Sequence, residues 1–420
     1  MTEESTRTTP QAAHTTPPAR PAQDGGVSGP VLLVLALLSA VAPFATDLYL
    51  PAFPRMTDDL STSTTTVQLT LTAFLLGMTV GQVVFGPLSD RFGRRPPLIA
   101  GAVLCVVASA VAALAPSVGV LIAARLAQGL GGAAGMVIGR AVISDLAHGR
   151  AAAQAFSLMM IVGGVAPVVA PLVGGFLVDP IGWRGILTVV LVLAGLMLVC
   201  VLLVIRETHP RILNGTTATT TGAATGQPAE SLLQKGFLAY TFAFAFGFAV
   251  MMAYISASPF LYQDMMGLGT VTYGLAFGVN ALGLMVVSAV AANLTATRSP
   301  AALLSVGIVT VFASTVVFGL LVLTGVPAGW LAVPLFTGIA GLGFVMGNAT
   351  ALALSYVRHS AGRGSAVLGA LQFGLAAVVS PLVSIRGEDT AGPLAVVMLV
   401  AATIALISMI VARRAAPAQA

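Results

Sequence analysis

Two charged side chains lie inside long apolar stretches of the sequence, where they could bind ions or exchange protons. Asp47 and Arg125 each lie about seven residues, or roughly 10 Å of helix, from the predicted outer face of the membrane. A charge inside a bilayer costs roughly 2.5–3.5 kcal/mol on insertion scales, so such residues normally face a partner or a polar cavity. Asp47 could therefore pair with Arg125 or share a water-filled cavity with it. The alternative is an ion pair that only fixes helix packing.

Arg125 also begins a pattern that is typical of one helix face. Gln128, Gly129 and Gly132 follow it at i+3, i+4 and i+7 and share its face. The pattern places a cation and an amide on a smooth surface that is open to a neighbouring helix or a ligand. Glycines alone would indicate close helix packing, whereas the buried arginine favours a functional surface.

The densest charge cluster of the chain is the sequence Gly86-Pro-Leu-Ser-Asp90-Arg91-Phe-Gly93-Arg94-Arg95. It separates two apolar stretches, which predicts a short polar loop at the membrane surface. Arg91 or Arg94 could pair with Asp145. Asp90 could lie at the start of a later helix near Gly362–Ser365, because the amino end of a helix attracts a carboxylate by roughly 0.3–1 kcal/mol.

A third motif is rich in glycine and proline. The stretch Gly163–Gly175 contains two prolines and four glycines. The residues expected to form the motif are Gly164, Pro167, Pro171, Gly174 and Gly175. Such residues weaken backbone hydrogen bonding and permit a kink. The kink is interpreted as either static or a hinge.

Scattered polar residues in other apolar stretches suit a mildly polar cavity wall. Each one taken alone is more typical of a structural residue, and aromatic residues near span ends are typical interface anchors. The candidates for lining a cavity are Tyr49, Tyr254, Asn280, Asn348 and Gln372.

The composition defines the elements that must position these residues. The 420 residues are 57% hydrophobic and only 8% charged, with a mean hydropathy of +0.98, whereas soluble proteins carry about 25% charged residues. The fold class is therefore predicted to be an all-α polytopic membrane protein. Cys105 and Cys200 lie within apolar stretches and the four histidines are scattered, so neither a disulfide nor a metal site is predicted.

Apolar stretches long enough to span a bilayer recur along the chain. They predict twelve spans: 30–53, 66–88, 98–116, 118–141, 152–178, 183–205, 236–262, 270–294, 301–324, 329–355, 363–385 and 391–412. The interruption after the sixth span divides the chain into two six-helix lobes (30–205 and 236–412) joined by a cytoplasmic linker (206–235). The remaining ends are predicted to be a disordered cytoplasmic tail (1–29) and a short cytoplasmic tail (413–420).

The basic residues predict the orientation. With the amino terminus inside, fifteen of the 19 Lys and Arg residues fall in cytoplasmic segments and three fall in outer loops. Cytoplasmic loops of membrane proteins carry an excess of these residues. The same bias explains the net charge of +5 without nucleic-acid binding.

Taken together, these patterns resemble the major facilitator superfamily over residues 30–412. Gly86, Asp90, Arg91, Gly93, Arg94 and Arg95 match in full its signature between the second and third spans. The stretch Arg125–Gly131 is similar to the motif of its fourth helix. The fifth span is similar to the antiporter motif of drug exporters, with Ala170 where that motif usually has glycine.

The sequence Ala45-Thr-Asp-Leu-Tyr-Leu-Pro-Ala-Phe-Pro54, with Ala166–Pro171, resembles the drug:proton antiporters of the bicyclomycin and chloramphenicol–florfenicol resistance branch. The resemblance implies two six-helix lobes around a central cavity and export of small drug-like molecules against entering protons. It implies no cofactor besides the proton gradient. The corresponding loop of the second lobe, Asn293–Pro300, departs from the signature, so gating is not implied there.

We therefore predict a multi-pass plasma-membrane transporter that acts as a monomer in the lipid bilayer, without enzymatic activity. Asp47, Arg125 and Gln128 would couple substrate to protons, and the Gly86–Arg95 cluster with Asp145 would gate the cytoplasmic side. The alternatives are an exporter of an endogenous metabolite or amino acid and, from another class, a membrane sensor. Neither a soluble readout domain nor an enzyme motif favours the latter.

Overall fold

The computed structural model describes residues 28–147, 149–209, 232–357, 361–385 and 390–415, and within these ranges the chain is helical with no strand. The predicted disordered tail, except for its last two residues, and most of the predicted linker lie outside the described residues. The helices are α1 (Gly29–Asp47), α2 (Phe53–Asp59), α3 (Thr64–Phe92), α4 (Arg95–Ala113), α5 (Val118–Leu146), α6 (Gly149–Val204), α7 (Lys235–Pro259), α8 (Thr270–Leu294), α9 (Pro300–Thr324), α10 (Ala332–Ser355), α11 (Ala361–Leu382) and α12 (Gly392–Ala415).

Helix α6 contains two membrane crossings. Its 56 residues would extend roughly 84 Å, far more than the roughly 30 Å of a bilayer core. The backbone breaks at Gly182, where φ is 64° and ψ is 179°, a conformation that favours glycine. The described residues contain eleven helical segments that are long and apolar enough to cross a membrane. The break in α6 accounts for the twelfth predicted span.

The first predicted span, 30–53, lies within the candidate membrane segment Gly29–Asp59, but its helix is interrupted near the outer end. Helix α1 ends at Asp47 and is followed by a 3₁₀ turn over Leu50–Ala52 and by the short helix α2. Pro51 and Pro54 each occupy the first turn of the element that follows, where proline lacks only a donor that would be unpaired anyway. Asp47 therefore lies at the carboxyl end of a helix, not within a continuous one.

Helices of the first lobe approach one another through small residues. A Cβ atom on Gly77 of α3 would overlap the carbonyl oxygen of Leu126, and one on Gly129 of α5 would overlap that of Phe74. Lipid supplies little hydrophobic force between helices, so close backbone approach is the main source of attraction. The glycines thus fix the spacing of the two helices that carry Phe74 and Arg125.

The two lobes, α1–α6 and α7–α12, meet mainly where α3 packs against α11 and α6 against α8. Hydrogen bonds join the lobes at the ends that are predicted to face outside. The Gln68 amide donates to the Ser256 carbonyl (2.9 Å) and accepts from the Ser384 hydroxyl (2.5 Å). Gln263 donates to the Pro51 carbonyl (3.0 Å). The lobes are therefore in contact at this end of the molecule.

The close approach of α3 and α5 gives a test of the fold. Gly129→Ala places a methyl group on the Phe74 carbonyl, and overpacking of this kind costs about 1–3 kcal/mol. The control is Gly132→Ala in the same helix, because the nearest atom to its new Cβ is the Met78 sulfur at 3.7 Å. We expect a lower melting temperature in detergent for Gly129→Ala only. Equal melting temperatures for both variants would contradict this packing.

Candidate functional site

Arg125 is fully buried in the first lobe. Its guanidinium lies between two aromatic rings, 4.4 Å from the centre of Tyr49 and 4.6 Å from that of Phe74. It donates hydrogen bonds to the carbonyl of Ala45 (2.8 Å) and to the Gln128 side chain (2.5 Å). Ring faces and oxygen acceptors both stabilise a cation that has left water.

The Arg125 contact continues into a chain of hydrogen bonds. Because Gln128 Oε1 accepts from Arg125, its Nε2 is free to donate, and it donates to the Ser109 hydroxyl (2.7 Å). Ser109 in turn donates to the carbonyl of Cys105 (2.6 Å). The chain ties α5 to α4 and fixes the side-chain orientations of Arg125 and Gln128.

Asp47 is buried at the end of α1, 4% exposed. Among the described residues, no basic nitrogen lies within 4.0 Å of its carboxylate. Asp47 and Arg125 could pair because they lie at a similar depth below the predicted outer face of the membrane. This direct ion pair is therefore not formed in this conformation. Arg125 binds instead the Ala45 carbonyl, because the last carbonyls of a helix are unpaired and attract cations. Arg125 nevertheless lies near Asp47, because the carbonyl it binds is only two residues earlier in the chain.

The glycine- and proline-rich part of α6 makes contacts to both lobes. A Cβ on Gly174 would overlap the Leu48 carbonyl, next to Asp47, and one on Gly175 would meet the Thr270 carbonyl of α8. The backbone keeps helical dihedral angles through Pro167 and Pro171. Within the described structure this segment thus acts as a close contact between the end of α1 and the second lobe. The surroundings of Gly164 lie outside the described residues.

In the second lobe, four residues form a cluster that we call the tyrosine–asparagine cluster: Tyr254, Tyr262, Tyr273 and Asn280. Asn280 donates to the hydroxyls of Tyr254 and Tyr262, both at 2.9 Å. Of the other predicted cavity residues, Tyr49 packs on Arg125. Asn348 donates to a carbonyl of its own helix (2.8 Å), and Gln372 is half-buried on α11. No described hydrogen bond joins Asn348 or Gln372 to the cluster.

The charge cluster at the other end of the lobe is more helical than predicted. Helix α3 continues to Phe92, so Gly86, Asp90 and Arg91 belong to its last turns. The chain turns at Gly93, whose φ of 91° favours glycine. Arg91 lies over the ring of Phe92, 5.2 Å from its centre.

Arg94 is the centre of this cluster. Its guanidinium donates to Asp145 (2.8 Å), to Asp90 (2.6 Å) and to the Ser89 hydroxyl (3.0 Å). The predicted pairing with Asp145 is thus present, with Arg94 as the partner. Burial alone would lower the pKa of Arg94, but its hydrogen bonds to the two carboxylates outweigh burial and raise it.

Asp90 accepts from Arg94 and keeps 69% of its side chain exposed. The residues directly before α11, 358–360, lie outside the described chain. The predicted contact between Asp90 and the start of that helix therefore stays a prediction.

Glu207, after the last turn of α6, caps the start of α4. Its carboxylate accepts from the backbone N–H groups of Arg94 (2.9 Å), Arg95 (3.1 Å), Thr208 (3.0 Å) and His209 (2.9 Å). Burial alone would raise the pKa of Glu207, but these four donors lower it below its ordinary value. The carboxylate therefore ties the end of the sixth span to the start of the third.

Comparison with known proteins decides the family. The model of the Major Facilitator Superfamily matches residues 35–381. The chain belongs to the major facilitator superfamily. It is 35% identical to "Uncharacterized MFS-type transporter YdgK" of Bacillus subtilis (strain 168) over 373 residues, which cover 88% of this chain and 92% of the relative. It is 29% identical to "Bicyclomycin resistance protein homolog" of Haemophilus influenzae, covering 86% and 91%.

Solved structures of superfamily transporters share the fold. A crystal structure of a D-xylose–proton symporter superimposes with a TM-score of 0.71 at 16% sequence identity, covering 92% of this chain and 98% of the symporter. The superfamily and the twelve-helix fold predicted from the sequence are confirmed. The Haemophilus relative bears the name of the resistance branch that Ala45–Pro54 resembles, which confirms the predicted branch.

Several residues that contact the predicted site residues are not indicated by the sequence. Ser109 and Cys105 lie four residues apart on α4, and a lone serine in an apolar span was the available signal. Tyr262 lies at the end of a predicted span and Glu207 lies two residues after one, where no pattern distinguishes them from neighbouring residues. No sequence pattern indicates that Arg125 would bind a backbone carbonyl.

The Glu207 cap predicts a pH-dependent contribution to stability. A glutamate whose pKa is lowered in the folded state stabilises the fold above its ordinary pKa of about 4.3, and this contribution disappears as pH falls through the lowered value. Glu207→Gln should therefore cost about 1–2 kcal/mol at pH 7 and progressively less below about pH 4. Thermal unfolding in detergent across this pH range measures the difference.

Asp58→Asn is the matched control for the cap, because Asp58 is exposed on α2 at the other end of the lobe. Its melting temperature should follow the wild type at every pH. A Glu207→Gln variant that also follows the wild type, or one that is equally destabilised at pH 7 and pH 3.5, would show that the carboxylate does not act as this cap.

Proposed function

We propose that this superfamily member exports small drug-like molecules in exchange for protons that enter the cell. The resistance name of a relative that aligns along most of the chain supports the substrate class. The observation that carries the proposal is the buried carboxylate of Asp47. It lies where the end of α1, the close-packed segment of α6 and the second lobe meet.

In the proposed cycle, substrate and proton alternately occupy the space beside Asp47 and Arg125. A charged Asp47 is stabilised by the nearby cation of Arg125. Protonation from outside neutralises Asp47, weakens this attraction and favours release of the substrate. One charge that crosses 100 mV supplies roughly 2.3 kcal/mol, enough for about a fifty-fold concentration gradient.

Alternating access requires that contacts between the lobes break and reform. The hydrogen bonds of Gln68 with Ser256 and Ser384 join the lobes on the predicted outer side. Each such bond contributes only about 0.5–1.5 kcal/mol, because water replaces the lost partner. These contacts can therefore bias a rocking equilibrium without freezing it.

On the predicted cytoplasmic side, we assign gating to the Gly86–Arg95 segment with Asp145. Arg94 holds Asp90 and Asp145 together within the first lobe. Contact of Asp90 with the start of α11 would complete a latch between the lobes. If this latch exists, Asp90→Ala should shift the equilibrium between the inward-open and outward-open states, which accessibility labelling of the two sides measures. An unchanged equilibrium in Asp90→Ala would contradict the latch.

We further propose that the protein is a monomer in the plasma membrane with both termini in the cytoplasm. The distribution of the basic residues supports this orientation, since fifteen of the 19 Lys and Arg residues then lie inside. A reporter enzyme that is active only outside the cytoplasm, fused to the carboxyl terminus, should stay inactive.

The assignment of Asp47 is tested by transport in inside-out vesicles. Asp47→Asn keeps the size and polarity of the side chain but cannot exchange a proton, so proton-driven transport of a drug should fall to background. Fluorescent-drug uptake driven by an imposed pH gradient measures this loss. Asp58→Asn, an exposed carboxylate on α2, is the control and should transport like the wild type.

Full pH-driven transport by Asp47→Asn would show that another group carries the proton. Loss of transport in both variants would point to damage of the outer end of the first lobe rather than to coupling.

A further inference from the structure

The tyrosine–asparagine cluster of the second lobe has a polar atom without a partner. Asn280 is 3% exposed. Its Nδ2 lies within 2.9 Å of the hydroxyls of Tyr254 and Tyr262 and 3.1 Å from the carbonyl of Ala276. Its Oδ1 is buried and has no hydrogen-bond partner among the described residues. Buried polar atoms in proteins are rarely left in this condition.

The orientation of the Asn280 amide decides which of its polar atoms is unpaired. In the structure, the two hydrogens of Nδ2 face three oxygens, those of Tyr254, Tyr262 and Ala276, so two of these bonds form at any one time. In this orientation the unpaired atom is Oδ1, a carbonyl oxygen that accepts from a donor.

The tyrosines bonded to Asn280 belong to a group of packed aromatic rings. Tyr254 and Phe277 are stacked with ring centres 5.5 Å apart, and Tyr262 meets Tyr254 edge-on at 6.5 Å. Tyr273 lies 6.1 Å from both Tyr262 and Phe277. Ring faces favour flat apolar groups and attract positive charge. The cluster is therefore chemically suited to an aromatic molecule that carries a hydrogen-bond donor.

The cluster lies at the contact between the lobes. The hydroxyl of Tyr273 is held by Ser258 (3.0 Å). The next residue on α8, Gly274, packs against the backbone of Pro171 in α6. The cluster therefore borders the contact between α6 and α8.

We propose that Asn280 determines which molecules this transporter binds. Its Oδ1 accepts a hydrogen bond from an N–H or O–H group of the substrate, and the aromatic body of the substrate lies against the tyrosine rings on the side of Asp47. The inference rests on the proposed export function and adds the substrate class: flat aromatic compounds with a donor group at one end.

Two dyes of the same ring system test this class. Proflavine carries two amino groups with N–H donors on an acridine ring, and acridine orange carries the same groups fully methylated. Their binding to the purified protein is measured by fluorescence without a proton gradient. Asn280→Leu should weaken proflavine binding about tenfold, as expected for one buried hydrogen bond, and change acridine orange binding less than about twofold. Asn280→Ala should give the same pattern.

The control is Asn348→Leu, because Asn348 is a buried asparagine of the same lobe that bonds to its own helix. It should bind both dyes like the wild type. Retained acridine orange binding shows that the Asn280 variants are folded. Equal weakening of both dyes, unchanged proflavine binding or no saturable proflavine binding to the wild type would overturn the proposal. Since no gradient is used, a failure of proton coupling leaves this result unaffected.

Discussion

The guanidinium of Arg125 is a positive charge that is fully buried, and residues of the first lobe stabilise it. Removing such an ion from water costs several kcal/mol. Two ring faces, the side chain of Gln128 and the carbonyl of Ala45 offset this cost. Because Ala45 belongs to the last turn of α1, the same contact joins the end of that helix, with Asp47, to α5.

The glycines of α3, α5 and α6 make this arrangement possible. Side chains at Gly129 or Gly174 would push apart the backbones that hold Phe74 and the end of α1. In a membrane, where apolar burial gives little net attraction between helices, such close approach supplies much of the packing energy. The geometry of the site therefore depends on the spacing of these helices. A larger residue at Gly129 or Gly174 would change both the helix spacing and the site.

Much of the fold could be predicted from the sequence, because apolar length and the distribution of basic residues report directly on a bilayer. The role of Arg94 with Asp145 was also predictable, since both charges had to lie at the same membrane surface. The end of α1 at Asp47 was not, because an apolar run continues through Pro51. The choice of a backbone carbonyl as the partner of Arg125 could not be predicted either, since every residue carries one. Likewise, the unpaired carbonyl oxygen of the Asn280 side chain depends on distances between α7 and α8 that no local pattern records.

The central claim is that substrate and proton compete beside Asp47, and proton release on binding tests it most directly. The purified protein is placed in weakly buffered detergent with a pH indicator, and a drug that it exports is added at a saturating concentration. We predict that the wild type releases protons on binding and that Asp47→Asn binds the drug without releasing any. Equal release from both proteins, or drug binding by the wild type without release, would contradict the account.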